Sequence, residues 1–155
     1  MRVGIGYDSH RFAKGRKLIL GGVTIPHPRG LAGHSDADAV AHALTDALLG
    51  AAALGDIGTL FPDSDARWKN ADSLVLLNQA YLKVVESGRQ FVSADITVIA
   101  ERPKLGPYLD QMREKLAAAL VSGPSHLSVK AKTNEKLGWI GKGEGIAVIA
   151  VALLE

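Results

Sequence analysis

The run Gly145 to Leu154 contains no polar side chain, and both of its alternating sets are apolar. Ile146, Val148, Ala150 and Ala152 share one face, and Ala147, Ile149, Val151 and Leu153 the other. A strand of this kind needs cover on both faces. Something in the fold or its assembly must therefore cover both sides of residues 145–154.

Elsewhere the chain alternates strand and helix patterns. Arg2 to His10 reads as a strand with Val3, Ile5 and Tyr7 on one face and Asp8 and His10 on the opposite face. Lys17 to Ile25 reads as a hairpin turning at Gly21-Gly22. A helix is expected from near Asp36, with Ser35 as its N-cap, to about Gly55, and another from about Asp72 to Glu86. A strand from Val92 to Ala100, a helix from Tyr108 to Val121 and a strand from Leu127 to Thr133 follow. This pattern predicts an α/β (α+β) domain over residues 1–155, with a mixed sheet of about four main strands. The three substantial helices would cover one sheet face, leaving the other for another copy of the chain.

Composition narrows the chemistry. With no cysteine, disulfides and thiolate ligands are excluded. A net charge of +2, with 5% aromatic residues and no Lys/Arg block, argues against a nucleic-acid partner. The first residues enter a strand without a signal-peptide pattern, and no apolar stretch spans a bilayer, so a soluble cytoplasmic protein of bacterial type is expected, a processed plastid form remaining compatible. No Gly-x-Ser-x-Gly elbow, phosphate-binding Walker loop or dinucleotide fingerprint occurs.

The clearest chemical signal is Asp8-Ser9-His10 with a histidine farther along. On the predicted helix Val40, Leu44, Ala47, Leu48 and Ala51 form an apolar stripe, whereas Asp38, His42 and Asp46 step by four along another face. Taken alone, that spacing reads as a solvated polar face; the Asp-x-His pair makes a metal site competitive with it. One carboxylate and two neutral imidazoles suit zinc or a similar divalent ion and leave one coordination position open. Asp38 or Asp46 would orient the imidazole. Spacing alone leaves His34 and His42 both open as the third ligand.

Other segments are weaker signals. Thr133-Asn134-Glu135 follows a strand in a short turn suited to an anion and its counter-ion, and His34-Ser35 at the expected helix start is a second anion candidate. Gly55-Asp56-Ile57-Gly58 and Phe61-Pro62-Asp63 offer carboxylates and a wall to a polyol, or simply form a capped loop. Arg102 to Pro107 leaves a strand end, where α/β sheets bind ligands. His27 and His126 read as surface residues. A metal-dependent phosphoesterase and a non-catalytic metal-binding oligomer also accommodate these features.

Together, G-Y-D-S-H (6–10), G-H-S-D-A-D-A-V-A-H (33–42), G-D-I-G (55–58), F-P-D (61–63), T-N-E-K-L-G (133–138) and G-K-G-E-G-I-A (141–147) closely resemble the 2-C-methyl-D-erythritol 2,4-cyclodiphosphate synthase family over essentially the whole chain. The resemblance implies a lyase of the non-mevalonate isoprenoid pathway. It would cyclise 4-diphosphocytidyl-2-C-methyl-D-erythritol 2-phosphate to 2-C-methyl-D-erythritol 2,4-cyclodiphosphate with release of CMP. It also implies a homotrimer whose sheets face each other, with active sites between subunits.

Residue by residue, the resemblance makes Asp8, His10 and His42 zinc ligands, Glu135 a magnesium ligand, and His34 and Thr133 the catalytic residues. Substrate contacts would come from Asp8, His10, His34 and Ser35, and from Asp56, Ile57, Gly58, Phe61, Pro62, Asp63, Ser64 and Asp65 around the methylerythritol part. The cytidine and phosphates would meet Ala100, Pro103, Lys104, Leu105 and Gly106 and the run Ala131, Lys132, Thr133, Asn134 and Glu135. Trp139 and Lys142 would lie near the trimer axis, where an isoprenoid diphosphate can bind. Two positions depart from the pattern: Lys132 stands where threonine is frequent, and Lys142 where arginine is. Lys132 adds a cation near phosphate, and Lys142 lacks arginine's bidentate fork.

Overall fold

The computed structural model describes residues 1–155. Its elements are β1 (Arg2–Ala13), β2 (Leu18–Leu20), β3 (Val23–Ile25), β4 (Gly30–Leu31), α1 (Ala39–Ala52), α2 (Ile57–Leu60), α3 (Ser73–Glu86), β5 (Phe91–Ile99), α4 (Leu109–Ala119), β6 (Leu127–Lys132), α5 (Gly138–Gly141) and β7 (Gly145–Leu154). No helix is long and apolar enough to cross a membrane.

The doubly apolar run is the central strand of the sheet. Five strands form one sheet in the order β4-β1-β7-β5-β6, and β2 pairs with β3 in a separate hairpin. β7 runs antiparallel to β1, from Arg2 opposite Leu154 to Arg11 opposite Gly145, and antiparallel to β5 on its other side. Only β5 and β6 are parallel, joined by a crossover through α4. The sheet is therefore mixed.

The three long helices α1, α3 and α4 bury Ile146, Val148, Ala150, Ala152 and Leu154 of β7 with Ile96 and Val98 of β5. The opposite face is open in the single chain. Val3, Ile5 and Tyr7 are 69%, 70% and 57% exposed, and Ile149 and Val151 are 37% and 39% exposed. Ile5 lies opposite Val151 and Tyr7 opposite Ile149, so these side chains form one cross-strand apolar patch. A contiguous patch of this kind marks an interaction surface.

α1 packs against β1 through two glycines. A Cβ on Gly4 would fall 2.1 Å from the Ala47 carbonyl oxygen, and one on Gly6 would fall 1.9 Å from that of Ala43. Helix and strand backbones thus touch, and α1 is buried around most of its circumference. β1 presents Gly4, Gly6, Asp8 and His10 in succession to this helix as α1 runs back from Ala51 toward His42.

The start of α1 differs from the expectation. Its N-cap is Asp38, whose carboxylate accepts the Val40 and Ala41 N–H groups. The same carboxylate accepts Gly21 N–H at 2.8 Å and Gly22 N–H at 2.6 Å, so it also closes the β2–β3 turn. Ala37, with φ 58°, stops the helix from extending back toward Ser35. The other end stops at Ala53, which is left-handed at φ 60°. α3, by contrast, starts where it is expected, with Asp72 as its cap accepting Leu74 N–H at 2.9 Å.

Candidate active site

Asp8 and His10, side by side on the helix-facing side of β1, meet His42 from the first turn of α1. Asp8 Oδ2 lies 2.8 Å from His10 Nε2 and 3.1 Å from His42 Nδ1, and the two ring nitrogens are 3.3 Å apart. One ligand atom from each residue lies within 4.8 Å of the others. Nδ1 of His10 is 2.6 Å from the Ala32 carbonyl, which only accepts, so Nδ1 carries a hydrogen and, in the neutral ring, Nε2 is the nitrogen free to bind a metal. Two imidazole nitrogens and a carboxylate oxygen then converge on one point, an arrangement suited to a divalent cation.

The electrostatics agree. Burial alone would push the Asp8 carboxyl up, but hydrogen bonds and charge from His10 and His42 outweigh it and hold the group well below the usual carboxylate range. Burial would lower His10, yet the Asp8 carboxylate and the Ala32 carbonyl raise it above its ordinary value. The pocket thus favours positive charge beside the Asp8 carboxylate, which a metal ion would supply.

The ambiguity between the two histidines is resolved by placement. His42 belongs to the cluster, whereas His34 lines the same cavity and donates through Nε2 to the Asp65 carbonyl at 3.3 Å. Neither acidic neighbour on α1 orients His42. Asp38 points to the glycine turn, and Asp46 accepts the Ile57 N–H at 2.8 Å, tying the 55–58 segment to the helix. Burial is also the main reason the Asp46 carboxyl is raised. His34-Ser35 is not a helix N-terminus either, because the helix begins at Ala39.

The cavity beside the cluster encloses about 360 Å³, with Ser35, Ile57, Gly58, Phe61, Pro62 and Asp63 on its walls. Asp56 caps α2, and its contacts with the Thr59 hydroxyl and N–H hold its carboxyl below the usual range. Asp65 is likewise lowered by its ion pair with Arg67, while Ser64 is exposed. Trp68 packs edge-on against Phe61 at 5.0 Å and also lines the cavity.

Ala100, Pro103, Lys104, Leu105, Gly106, Ala131, Lys132 and Thr133 line a second cavity of about 310 Å³. His34 and Thr133 thus belong to different cavities of one chain. Beyond Thr133 the backbone turns through Glu135 and Lys136, both left-handed at φ 50° and 63°. The Glu101 carboxylate holds this turn, accepting Asn134 N–H at 3.1 Å and Lys136 N–H at 3.2 Å. Trp139 lines a third cavity with Arg11, Arg29 and Glu144, while Lys142 closes α5.

Sequence reasoning passed over Ser73 and Trp68, and it missed the turn-holding role of Glu101 within the run from Ala100 to Gly106. Ser73 directly follows the helix cap Asp72, and Glu101 sits in an ordinary strand exit, so neither carries a local signal; both act on partners more than 30 residues away.

The YgbB family model matches residues 1–155. The 2-C-methyl-D-erythritol 2,4-cyclodiphosphate synthase of Moorella thermoacetica is 58% identical over 154 residues, covering 99% of this chain and 94% of that protein. Among solved structures, the bifunctional IspDF of Campylobacter jejuni superposes with a TM-score of 0.95 at 48% identity, over 99% of this chain and 42% of that longer one. A CDP-bound 2C-methyl-D-erythritol-2,4-cyclodiphosphate synthase superposes with a TM-score of 0.90 at 42% identity, over 99% and 100% of the two chains. A full-length family match and this level of identity make the chain a member of the YgbB family, that of the 2-C-methyl-D-erythritol 2,4-cyclodiphosphate synthases.

Proposed function

We propose that the chain converts 4-diphosphocytidyl-2-C-methyl-D-erythritol 2-phosphate to 2-C-methyl-D-erythritol 2,4-cyclodiphosphate and CMP. The observation that carries this reading is the convergence of Asp8, His10 and His42 on one point beside a cavity whose one hydroxyl next to an imidazole, that of Ser35, is buried and already engaged by the Ala37 N–H. Such a site suits a reaction whose nucleophile belongs to the substrate. The 2-phosphate oxygen forms the new bond to the β-phosphorus, and the bond from that phosphorus to the CMP oxygen breaks.

Zinc held by Asp8, His10 and His42, and magnesium held by Glu135 with the diphosphate, would supply positive charge that polarises the phosphoryl group. The chain's own groups position and neutralise. His34 and Thr133 donate to phosphate oxygens that gain charge in the transition state. Asp56, Gly58 and Asp63 fix the methylerythritol hydroxyls, and the loop from Ala100 to Gly106 with Ala131 and Lys132 holds the cytidine end. Binding both substrate ends makes the attack effectively intramolecular and pre-oriented.

A homotrimer completes the site in this reading. His34 and Thr133 line separate cavities of one chain, and the Val3, Ile5, Tyr7, Ile149 and Val151 face is apolar and uncovered. Stacking three such faces around an axis would bury the patch and bring one subunit's metal cavity to a neighbour's nucleotide cavity. Trp139 and Lys142 would then approach the axis, where an isoprenoid diphosphate would be held less firmly by Lys142 than by an arginine. All 155 residues serve as one domain, and a bacterial cytoplasm fits the bacterial relatives.

Two measurements test the reading. Light scattering should give three chains per particle, and a monomer at micromolar concentration contradicts the shared site. Turnover in ¹⁸O-labelled water should leave both products unlabelled, whereas label in the product identifies a phosphoesterase.

A further inference from the structure

His42 has a second ring nitrogen, and its surroundings are distinct from the metal cluster. Nε2 lies 2.8 Å from Ser73 Oγ and 3.1 Å from Ser35 Oγ. The Ser73 hydroxyl also bonds Asp36 Oδ1, and the Ser73 backbone N–H donates to Asp36 Oδ2 at 3.1 Å. Ser73 is wholly buried.

Counting protons fixes the direction of this chain. The Asp36 carboxylate accepts, so the single Ser73 hydroxyl proton is committed to it. Ser73 Oγ then turns a lone pair toward His42, and Nε2 must bring the hydrogen. A neutral imidazole has only one, which leaves Nδ1 bare. Nδ1 is the nitrogen that faces Asp8 and His10.

The location explains why the intermediary is needed. Ser73 opens α3, and a helix N-terminus presents N–H donors, which would oppose the His42 N–H. Asp36 takes up both the Ser73 N–H and the Ser73 hydroxyl proton. A donor-rich helix end thereby offers His42 an acceptor. His10 needs no such device, since the Ala32 carbonyl meets it directly.

We propose that Asp36 and Ser73 are positioning residues that lock His42 in its Nδ1-ligating tautomer and thereby set the metal affinity of the site. This rests on the metal reading above. Ser35 is the weaker neighbour, because it stands farther from Nε2 and its hydroxyl proton has a second acceptor in Ser73 Oγ at 3.4 Å. Loss of such a supporting partner typically weakens metal binding by about 10- to 100-fold.

The test is zinc affinity by chelator competition, together with the ¹⁵N spectrum of His42 in metal-free protein. Ser73→Ala should weaken zinc binding by about 10- to 100-fold and mix the two tautomers, while CDP affinity at saturating zinc stays unchanged. Asp36→Asn should act alike, and the double variant should lose little more than either single one, because both act through one hydrogen bond. If Ser73→Ala melts below the assay temperature, Asp36→Asn carries the same expectation with Ser73 in place. Zinc binding within twofold of the parent in a folded variant, with the His42 tautomer intact, overturns the positioning role alone. A parent chain that binds no zinc overturns the metal reading itself.

Discussion

Gly6 and Ala43 touch backbone to backbone: a Cβ on Gly6 would fall 1.9 Å from the Ala43 carbonyl oxygen. This contact sets the height of α1 above β1. Asp8 stands two residues along β1 from Gly6, and His42 is the neighbour of Ala43, so the same contact sets the separation of two metal-ligand candidates. No side chain is available to yield, and relief requires moving the helix.

Gly6→Ala is therefore expected to cost about 3 kcal/mol or more and to weaken zinc binding in whatever protein still folds. Gly50→Ala is the contrasting case. Gly50 lies exposed in α1 with nothing within 4 Å of an added Cβ, so alanine there should stabilise by about 1 kcal/mol, raising Tm by roughly 2 to 4 °C. Thermal melts of the two variants check the pair; equal Tm values contradict the close-approach argument.

The acid side of the stability curve should carry the mark of Asp38. Burial pushes its carboxyl up to about 6 from an ordinary value of 3.8, even against the N–H donors around it. The native state therefore holds this proton more tightly than the unfolded chain. Its stabilising contribution is full below pH 3.8 and is lost as pH rises through about 6. The difference in unfolding free energy between the parent and Asp38→Asn should shift steadily against the parent as pH rises from 4 to 7. Denaturant titrations at a series of pH values would show it, and a pH-independent difference would refute the raised carboxyl.

Glu101 should matter to turnover through the turn it holds. Its carboxylate accepts two N–H groups flanking the left-handed Glu135. Glu101→Ala removes charged hydrogen bonds of about 1.5 to 3 kcal/mol each, so a loss in kcat of at least about tenfold is expected at unchanged zinc content. Wild-type kcat in this variant would mean that the turn holds itself.

The metal roles separate by variant. His42→Ala should lose zinc and turnover together with the fold intact by circular dichroism. Glu135→Gln should raise the magnesium concentration needed for half-maximal rate and leave zinc bound. An unchanged magnesium titration argues against Glu135 as its ligand.

The sequence was most readable where one segment decides its own fate. β7 needs cover on both faces because every one of its residues is apolar, and α3 begins where Asp72 supplies its cap. The Asp-x-His pair was visible because a strand places alternate residues on one face. The start of α1 was misread at Ser35 because Asp38 owes its role partly to Gly21 and Gly22, a hairpin 16 or 17 residues earlier. Spacing left the third ligand open for the same reason, and only the family resemblance pointed to His42: His34 and His42 lie on either side of a left-handed Ala37. Ser73 and Glu101 were invisible because their partners are 31 and 33 residues away.

The most direct test of the account is phosphorus NMR of the purified protein with 4-diphosphocytidyl-2-C-methyl-D-erythritol 2-phosphate and magnesium, with and without added zinc. The account predicts resonances of CMP and a cyclic diphosphate, appearing faster when zinc is supplied. Unchanged substrate with both metals bound, or linear hydrolysis products, would contradict it.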